Sequence, residues 1–334
     1  MKKTNRGPGA LAALAVALAA SIVFLGFVGR AEAASDGTGG DIAFTSDRTE
    51  GRGVQNPTGD SEIFTVHPDG TGLRQLTFNK ADDYAPDYSP DGERITFSSD
   101  RDGASGGIDD IFSMRSDGSD QVNLTRTPEA DDSFSVWSPN AGMIAFTSLR
   151  DGNFEVYTMR EDGSDQRNLT ENPADDSIPD WSPEGNRIAF NTDRNGDYEV
   201  FTMRANGSGL VNLTEAPRSN EIAPEWSPDA EQLSFASDRD GVGPFIFDIF
   251  RMGSDGSGQE NLTDTPNAVE TFSAWSPDGG RIAFDRGKDP LGGNEDIFGM
   301  RSDGSGQRKL SGTLAADDYA PSWQPAGGDR WEDD

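Results

Sequence analysis

The stretch Trp275-Ser-Pro-Asp-Gly-Gly-Arg-Ile-Ala-Phe284 reads as the end of one strand, a Pro-Asp-Gly turn and a second strand. The same pattern is written six times. Its aromatic anchor falls at Tyr88, Trp137, Trp181, Trp226, Trp275 and Trp323, at intervals of 49, 44, 45, 49 and 48 residues. A unit of this length holds about four strands and buries its apolar faces only by stacking on its neighbours, which is the period of a β-propeller blade.

Working outward from the anchor, each unit divides into four strands. The strand that leads into the anchor, as in Ile178-Pro-Asp-Trp181, is expected to be the shortest. Pro86, Pro179, Pro224 and Pro321 stand two residues before their anchors. Proline cannot donate to a ladder, so this strand must have a free edge and should be innermost, against the central channel. The second strand is Ile-Ala-Phe-like (Ile282 to Phe284), and the third opens with an acid and an apolar-aromatic step (Asp296-Ile-Phe298). Asp69-Gly70, Asp117-Gly118, Asp162-Gly163, Asn206-Gly207, Asp255-Gly256 and Asp303-Gly304 are the residues that a tight hairpin selects, and they join the third strand to the fourth. The fourth, outermost strand runs to Leu-Thr, as in Gln121 to Thr125.

The phase of the repeat closes the ring. The first copy begins at a second strand, Asp41 to Ser46, with no anchor strand before it. The last copy ends on an anchor strand, Tyr319 to Trp323, with nothing after it. Together they complete one blade. The expected fold is therefore all-β: a six-bladed β-propeller of four antiparallel strands per blade, spanning residues 41–325 and closed by N-terminal strands pairing with the C-terminal one, with no free sheet edge between first and last blades.

Ahead of the propeller, Lys2, Lys3 and Arg6 precede an apolar run from Ala10 to Val28, and Ala31-Glu-Ala33 supplies small residues for a signal peptidase. Residues 1–33 are read as a signal peptide, with an uncleaved membrane anchor as the alternative, and 34–40 as a linker. Residues 326–334 are read as a disordered acidic tail. Either form of the leader places the propeller outside the cytoplasm, in the periplasm or envelope or beyond the cell. The chain carries a formal net charge of −31. Without its first 33 residues it has 24 basic against 58 acidic side chains, a net charge of −34. That field repels nucleic acid and anionic lipid and attracts cations and basic proteins. There is no cysteine, which excludes disulfides, thiolate metal sites and a Cys nucleophile.

Repeats of the form W-S-P-D-G-x-x-I-A-F-x-S-D-R-x-G, followed by acid-I-[FY] and N-L-T, resemble the WD-like repeats of the TolB family, whose propeller also has six blades. The resemblance covers residues 41 to 325. Members of that family carry an α/β domain before the propeller. Here only residues 34–40 separate the expected cleavage point from the first strand, so the expectation is a propeller without that domain. The resemblance implies a docking surface for a protein or peptide partner, such as a cell-envelope lipoprotein.

Chemistry is expected on the face that carries the fourth-to-inner and second-to-third connections. Five residues before each anchor stands an acid: Asp83, Asp132, Asp176, Glu221, Glu270 and Asp318. Four have a second acid beside them, Asp82, Asp131, Asp175 and Asp317. These should ring the channel mouth. An arginine follows every second strand, at positions 48, 101, 150, 194, 239 and 286. Either these arginines tie the strands together through charge-assisted bonds to the acids, or the surplus carboxylates bind Ca²⁺ or a basic segment of a partner. Asp193-Arg-Asn195-Gly-Asp197-Tyr-Glu199 resembles half of a calcium loop but lacks the glycine after its third ligand and a distant bidentate Glu. Ca²⁺ is the one cofactor that the pattern leaves open.

With His67 as the single histidine, neither a Ser-His-Asp triad nor a multi-histidine metal site can be assembled. The second-to-third loops are long after Arg48, Arg101, Arg239 and Arg286, on consecutive blades, which should wall one side of the mouth. Phe245-Ile-Phe247 on that wall is a candidate contact patch. The reading is an exported, non-catalytic platform for a protein or peptide. The alternative is an extracellular enzyme that acts on carbohydrate or peptide through a carboxylate pair at the same mouth.

Overall fold

The structure is a computed structural model and describes residues 40–51, 53–102, 107–127, 129–241, 245–287, 295–311 and 316–325. The segment read as a signal peptide, nearly all of the segment read as a linker, residues 326–334 and most of the loop after Arg286 lie outside the described residues. Six four-stranded antiparallel sheets follow one another around a ring. Blade 1 joins the C-terminal strand Asp318–Trp323 to Ile42–Ser46, Glu62–Val66 and Arg74–Gln75. Ile42 faces Trp323 and Ser46 faces Asp318, so the two ends of the chain share a sheet as the phase of the repeat requires. The inner strands of the other blades are Asp83–Tyr88, Asp132–Trp137, Asp176–Trp181, Glu221–Trp226 and Ser273–Trp275 for blades 2 to 6. Each pairs on one edge only, and inner strands of adjoining blades lie beside one another around the channel.

Strand alternation builds the core. In Ile-Ala-Phe the Ile and Phe share one face and the Ala takes the other. Ile144 and Phe146 of blade 3 pack with Trp137 against Ile111 and Leu124 of blade 2. Ala145 turns the opposite way, with Val156, onto Trp181, Ile188 and Phe190 of blade 4. The same exchange closes the ring, where Ala283 and Ile297 of blade 6 meet Ile42, Phe44 and Trp323 of blade 1. Both sheet faces are therefore buried, which is why the second strands carry almost no polar residue that lacks a partner.

Two strand lengths differ from expectation. The inner strands of blades 1 to 5 have six residues, whereas the outer strands have only two, as in Val122–Asn123. The inner strand is lengthened by a β-bulge, as between Ser133 and Val136, that lets it run on to the acid. The outer strand ends early because its Leu and Thr take separate tasks. Leu124 N bonds Ile111 O at 2.8 Å, while Thr125 Oγ1 accepts Ile111 N at 3.0 Å and donates to Asp110 at 2.8 Å. Asn-Leu-Thr thus ties the acid that opens the third strand.

Candidate functional site: the channel and its mouth

The six acids before the anchors are fully buried, and each is bound to the arginine of its own blade: Asp318 to Arg48, Asp83 to Arg101, Asp132 to Arg150, Asp176 to Arg194, Glu221 to Arg239 and Glu270 to Arg286, at 2.5–3.2 Å. The pairing of inner and second strands in the hairpin brings them together. Each guanidinium also lies over two aromatic rings of the second and third strands, 4.5–5.7 Å from their centroids, as Arg150 does over Phe146 and Tyr157. Of the two arrangements open in the sequence, these six acids take the one in which the arginines tie the strands together. A buried carboxylate needs a partner, and the arginine supplied by the repeat is within reach. The aromatic bed under each arginine was missed in the sequence, although the Phe of Ile-Ala-Phe and the aromatic of the third strand were its signal.

The second acids do different work. Asp82, Asp131, Asp175 and Asp317 accept the backbone N–H that precedes a third strand, from Ser61, Asp109, Phe154 and Glu295, at 2.8–3.2 Å. Asp82 is exposed and Asp131 partly so, and Asp175 and Asp317 are buried. Around blades 1 to 3 these acids meet others. Asp82 N bonds Asp100 Oδ1 at 3.0 Å, and Tyr84 donates to Asp109 Oδ2 at 2.5 Å. Burial pushes Asp109 up to about 7, with the charges of Asp131, Asp100 and Asp82 adding to it. Burial and the charges of Asp100, Asp60 and Asp83 raise Asp82 as well. Among the described residues none of Asp82, Asp100, Asp109 and Asp131 forms an ion pair, and Arg101 and Arg150 are committed below them to Asp83 and Asp132. Across the ring, Tyr198, Ile222, Phe247 and Val269 form an apolar sector with Phe245 and Phe272 packed on it.

Below the rim the channel is closed. In blades 1 to 5 the residue three before the anchor is left-handed although none is glycine: Ala320, Ala85, Phe134, Ile178 and Ala223 have φ of 49–52°. Such a conformation is costly and must be held from outside. The N–H of each is taken by a side chain of the preceding blade: Ala85 by Thr45, Phe134 by Ser98, Ile178 by Thr147, Ala223 by Asn191 and Ala320 by Asp285. In blade 5 the corresponding residue is Ala236, which has no acceptor. Blade 6 accordingly has a short inner strand, and its Thr271 and Phe272 N–H groups turn to Asp285 of their own blade at 2.7 and 3.1 Å. Phe272 then stacks on Phe134 of the opposite blade, with ring centroids 5.8 Å apart and planes at 18°. Tyr84 sits edge-on to Phe134, and Tyr319 joins the cluster.

Beyond this plug, next to the anchors, Asp87, Asp180 and Glu225 line the channel. Each accepts the backbone N–H of the anchor in another blade: Trp137 at 2.8 Å, Trp226 at 2.7 Å and Trp275 at 3.2 Å. All three are partly buried. That burial pushes Asp87 up to about 7, and burial followed by the charges of the others raises Asp180 and Glu225.

The half calcium loop does not converge. Asp193 accepts Asp175 N, Asp197 accepts Arg218 N, Glu199 takes Thr214 and Ala216 N, and Asn195 is exposed. Among the described residues no group of three or more His, Asp or Glu side chains is placed to hold a metal ion. The contact patch shrinks as well. Ile246 and Phe247 are buried, Phe247 in the core between blades 5 and 6, and only Phe245 keeps partial exposure, because the loop folds its apolar residues inward. Residues 242–244 lie outside the described residues. His67 is exposed and contacts Asp41 at 2.6 Å.

Residues 132–221 match the family described as TolB beta propeller domain. Among solved structures the ring is similar to TolB of Acinetobacter baumannii, at 16 % identity and a TM-score of 0.68 over 86 % of this chain and 67 % of that one. A protein assigned as TolB in Agrobacterium tumefaciens shares 20 % identity and a TM-score of 0.62, over 86 % of this chain and all of that one, which is 100 %. Hydrazine synthase of Kuenenia stuttgartiensis shares 14 % identity and a TM-score of 0.69, over 88 % of this chain and 48 % of that one. At these identities the structural likeness establishes the fold alone.

Proposed function

We propose, on the premise that this chain is a TolB-like six-bladed propeller, that it is an exported docking module without catalytic activity, which holds a basic protein or peptide segment over the mouth of its channel. The observation that carries the reading is the acidic rim of blades 1 to 3, where Asp82, Asp100, Asp109 and Asp131 neighbour one another, form no ion pair among the described residues, and stand above arginines that are spent on Asp83 and Asp132. A cationic segment relieves that repulsion, and the partly exposed Phe245 and Phe272 across the ring suit an aliphatic or aromatic residue beside the charges. The Phe134–Phe272 stack makes the mouth a bowl with a floor. Export rests on Lys2, Lys3 and Arg6 followed by the apolar run, and a cell-envelope lipoprotein is the partner class suggested by the family resemblance.

Fluorescence anisotropy with a labelled Lys- and Arg-rich peptide that contains aromatic residues, against an acidic peptide of equal length, tests this. Binding of the basic peptide alone is expected, weakening steeply with salt. The variant D82N/D109N/D131N, whose amide oxygens still accept the rim N–H bonds, should lose about tenfold in affinity with little change in Tm. Equal binding by the variant contradicts the reading. Turnover of a glycan or peptide substrate that disappears on replacing one rim acid would establish the enzymatic alternative instead.

A further inference from the structure

The channel beneath the aromatic plug carries three carboxyl groups that the docking reading leaves unused. Asp87, Asp180 and Glu225 stand at one level of the inner ring, on blades 2, 4 and 5, with Asp87 and Glu225 on opposite sides of the axis. The other three inner strands present Val136, Ala274 and Ser322 at that level, so no charged group faces the acids from them. Ser322 donates to Asp87 at 3.2 Å. On the second strands behind, Arg94 is bonded to Ser113, Arg187 stacks on the Trp226 ring, and the corresponding residue of blade 5 is the neutral Gln232. None of these arginines forms an ion pair with the three acids.

Each acid links two blades through the anchor N–H that it accepts. Ionisation strengthens such a bond only modestly, since a hydrogen bond to a charged group exceeds a neutral one by a small margin. Three half-buried charges in one channel, with no ion pair to any of them among the described residues, cost more, through lost hydration and mutual repulsion. We propose that Asp87, Asp180 and Glu225 form a proton-held lock on the inner ring: as carboxylic acids they join neighbouring blades, and their ionisation loosens the propeller around its axis. The upward shift of all three acids has the same sign. A carboxyl group that is harder to ionise folded than unfolded contributes stability that is complete in acid and lost as pH rises through its folded value, here around neutrality and above.

The test compares melting of the wild-type protein and of D87N/D180N/E225Q between pH 5 and pH 9. The amides keep an acceptor for each anchor N–H and remove the ionisation. The two melting temperatures are expected to agree near pH 5, and the variant should be higher by ~2 °C or more at pH 8.5. Parallel pH profiles, or a variant that is less stable throughout, overturn the proposal. Should the triple variant not fold, native-state hydrogen exchange of the wild type decides. After correction for intrinsic exchange, protection of the Trp137, Trp226 and Trp275 amides should fall between pH 6 and pH 9 faster than that of Phe146 in a blade core. Equal loss of protection at all four overturns it.

Discussion

Arg150 shows what one residue does in every blade. It donates to both oxygens of Asp132 at 3.0 and 2.9 Å and to Gln166 at 2.7 Å, and its guanidinium rests on Phe146 and Tyr157. Asp132 has no exposed surface. R150M therefore strands a buried charge, and a loss of about 3–5 kcal/mol is expected in urea denaturation. R150K keeps the charge but gives up the planar fork and the stacking, so its loss should be intermediate. R150M/D132N removes the stranded charge as well and should be more stable than R150M. A loss below about 1 kcal/mol for R150M would mean that the pair does not staple the blade.

At the scale of the strand and turn, the hairpin at Asp255-Gly-Ser-Gly258 offers a matched comparison. Gly256 has φ of 84°, and a β-carbon there would meet Leu213 O of the preceding blade at 2.4 Å. Gly258 has φ of 65° with open space around it. G258A should cost about 1 kcal/mol for the left-handed conformation alone, and G256A at least ~2 kcal/mol, because it also pushes two blades apart. Equal losses in chemical denaturation would refute the role of blade contact. These turns were legible because an Asp-Gly pair states its conformation locally, and the anchors, the inner prolines and the closure followed from period and phase. The bulges were not legible. Ala85, Phe134 and Ile178 have no preference for a left-handed conformation, and Thr45, Ser98 and Thr147, which impose it, stand on other blades. Spacing alone likewise could not tell whether Asp83 and its equivalents face water or arginine. The Phe134–Phe272 contact depends on a single missing acceptor, Ala236, whose effect appears only across a blade boundary.

For the molecule as a whole, the distribution of carboxyl groups sets an unusual pH dependence. Burial raises Asp109 to about 7 and Asp47 to about 6, and it raises Glu62 and Asp285 too. The folded chain thus keeps protons that the unfolded chain releases above roughly pH 4, so this stabilisation is complete below that point and is lost as pH climbs through 6 to 8. Turn aspartates act oppositely. Hydroxyl and backbone N–H donors hold Asp69, Asp162 and Asp303 below the usual range, so their contribution exists above roughly pH 4 and vanishes in stronger acid. Calorimetry should find the highest Tm near pH 5, with a decline toward pH 8. A maximum at pH 8 would show that the buried carboxyl groups do not govern stability.

The pairing of Ile42–Ser46 with Asp318–Trp323 has a further consequence. Gln324 N reaches Asp41 O at 2.8 Å and Asp41 N reaches Gln324 Oε1 at 3.2 Å, so the first and last residues of the ring hold each other directly. Where the polypeptide is interrupted is then a matter of gene order. A circular permutant, with residues 40 and 325 bridged by a short flexible tether and new ends opened between the exposed Asn195 and Gly196, keeps every sheet intact and only transfers the seam to blade 4.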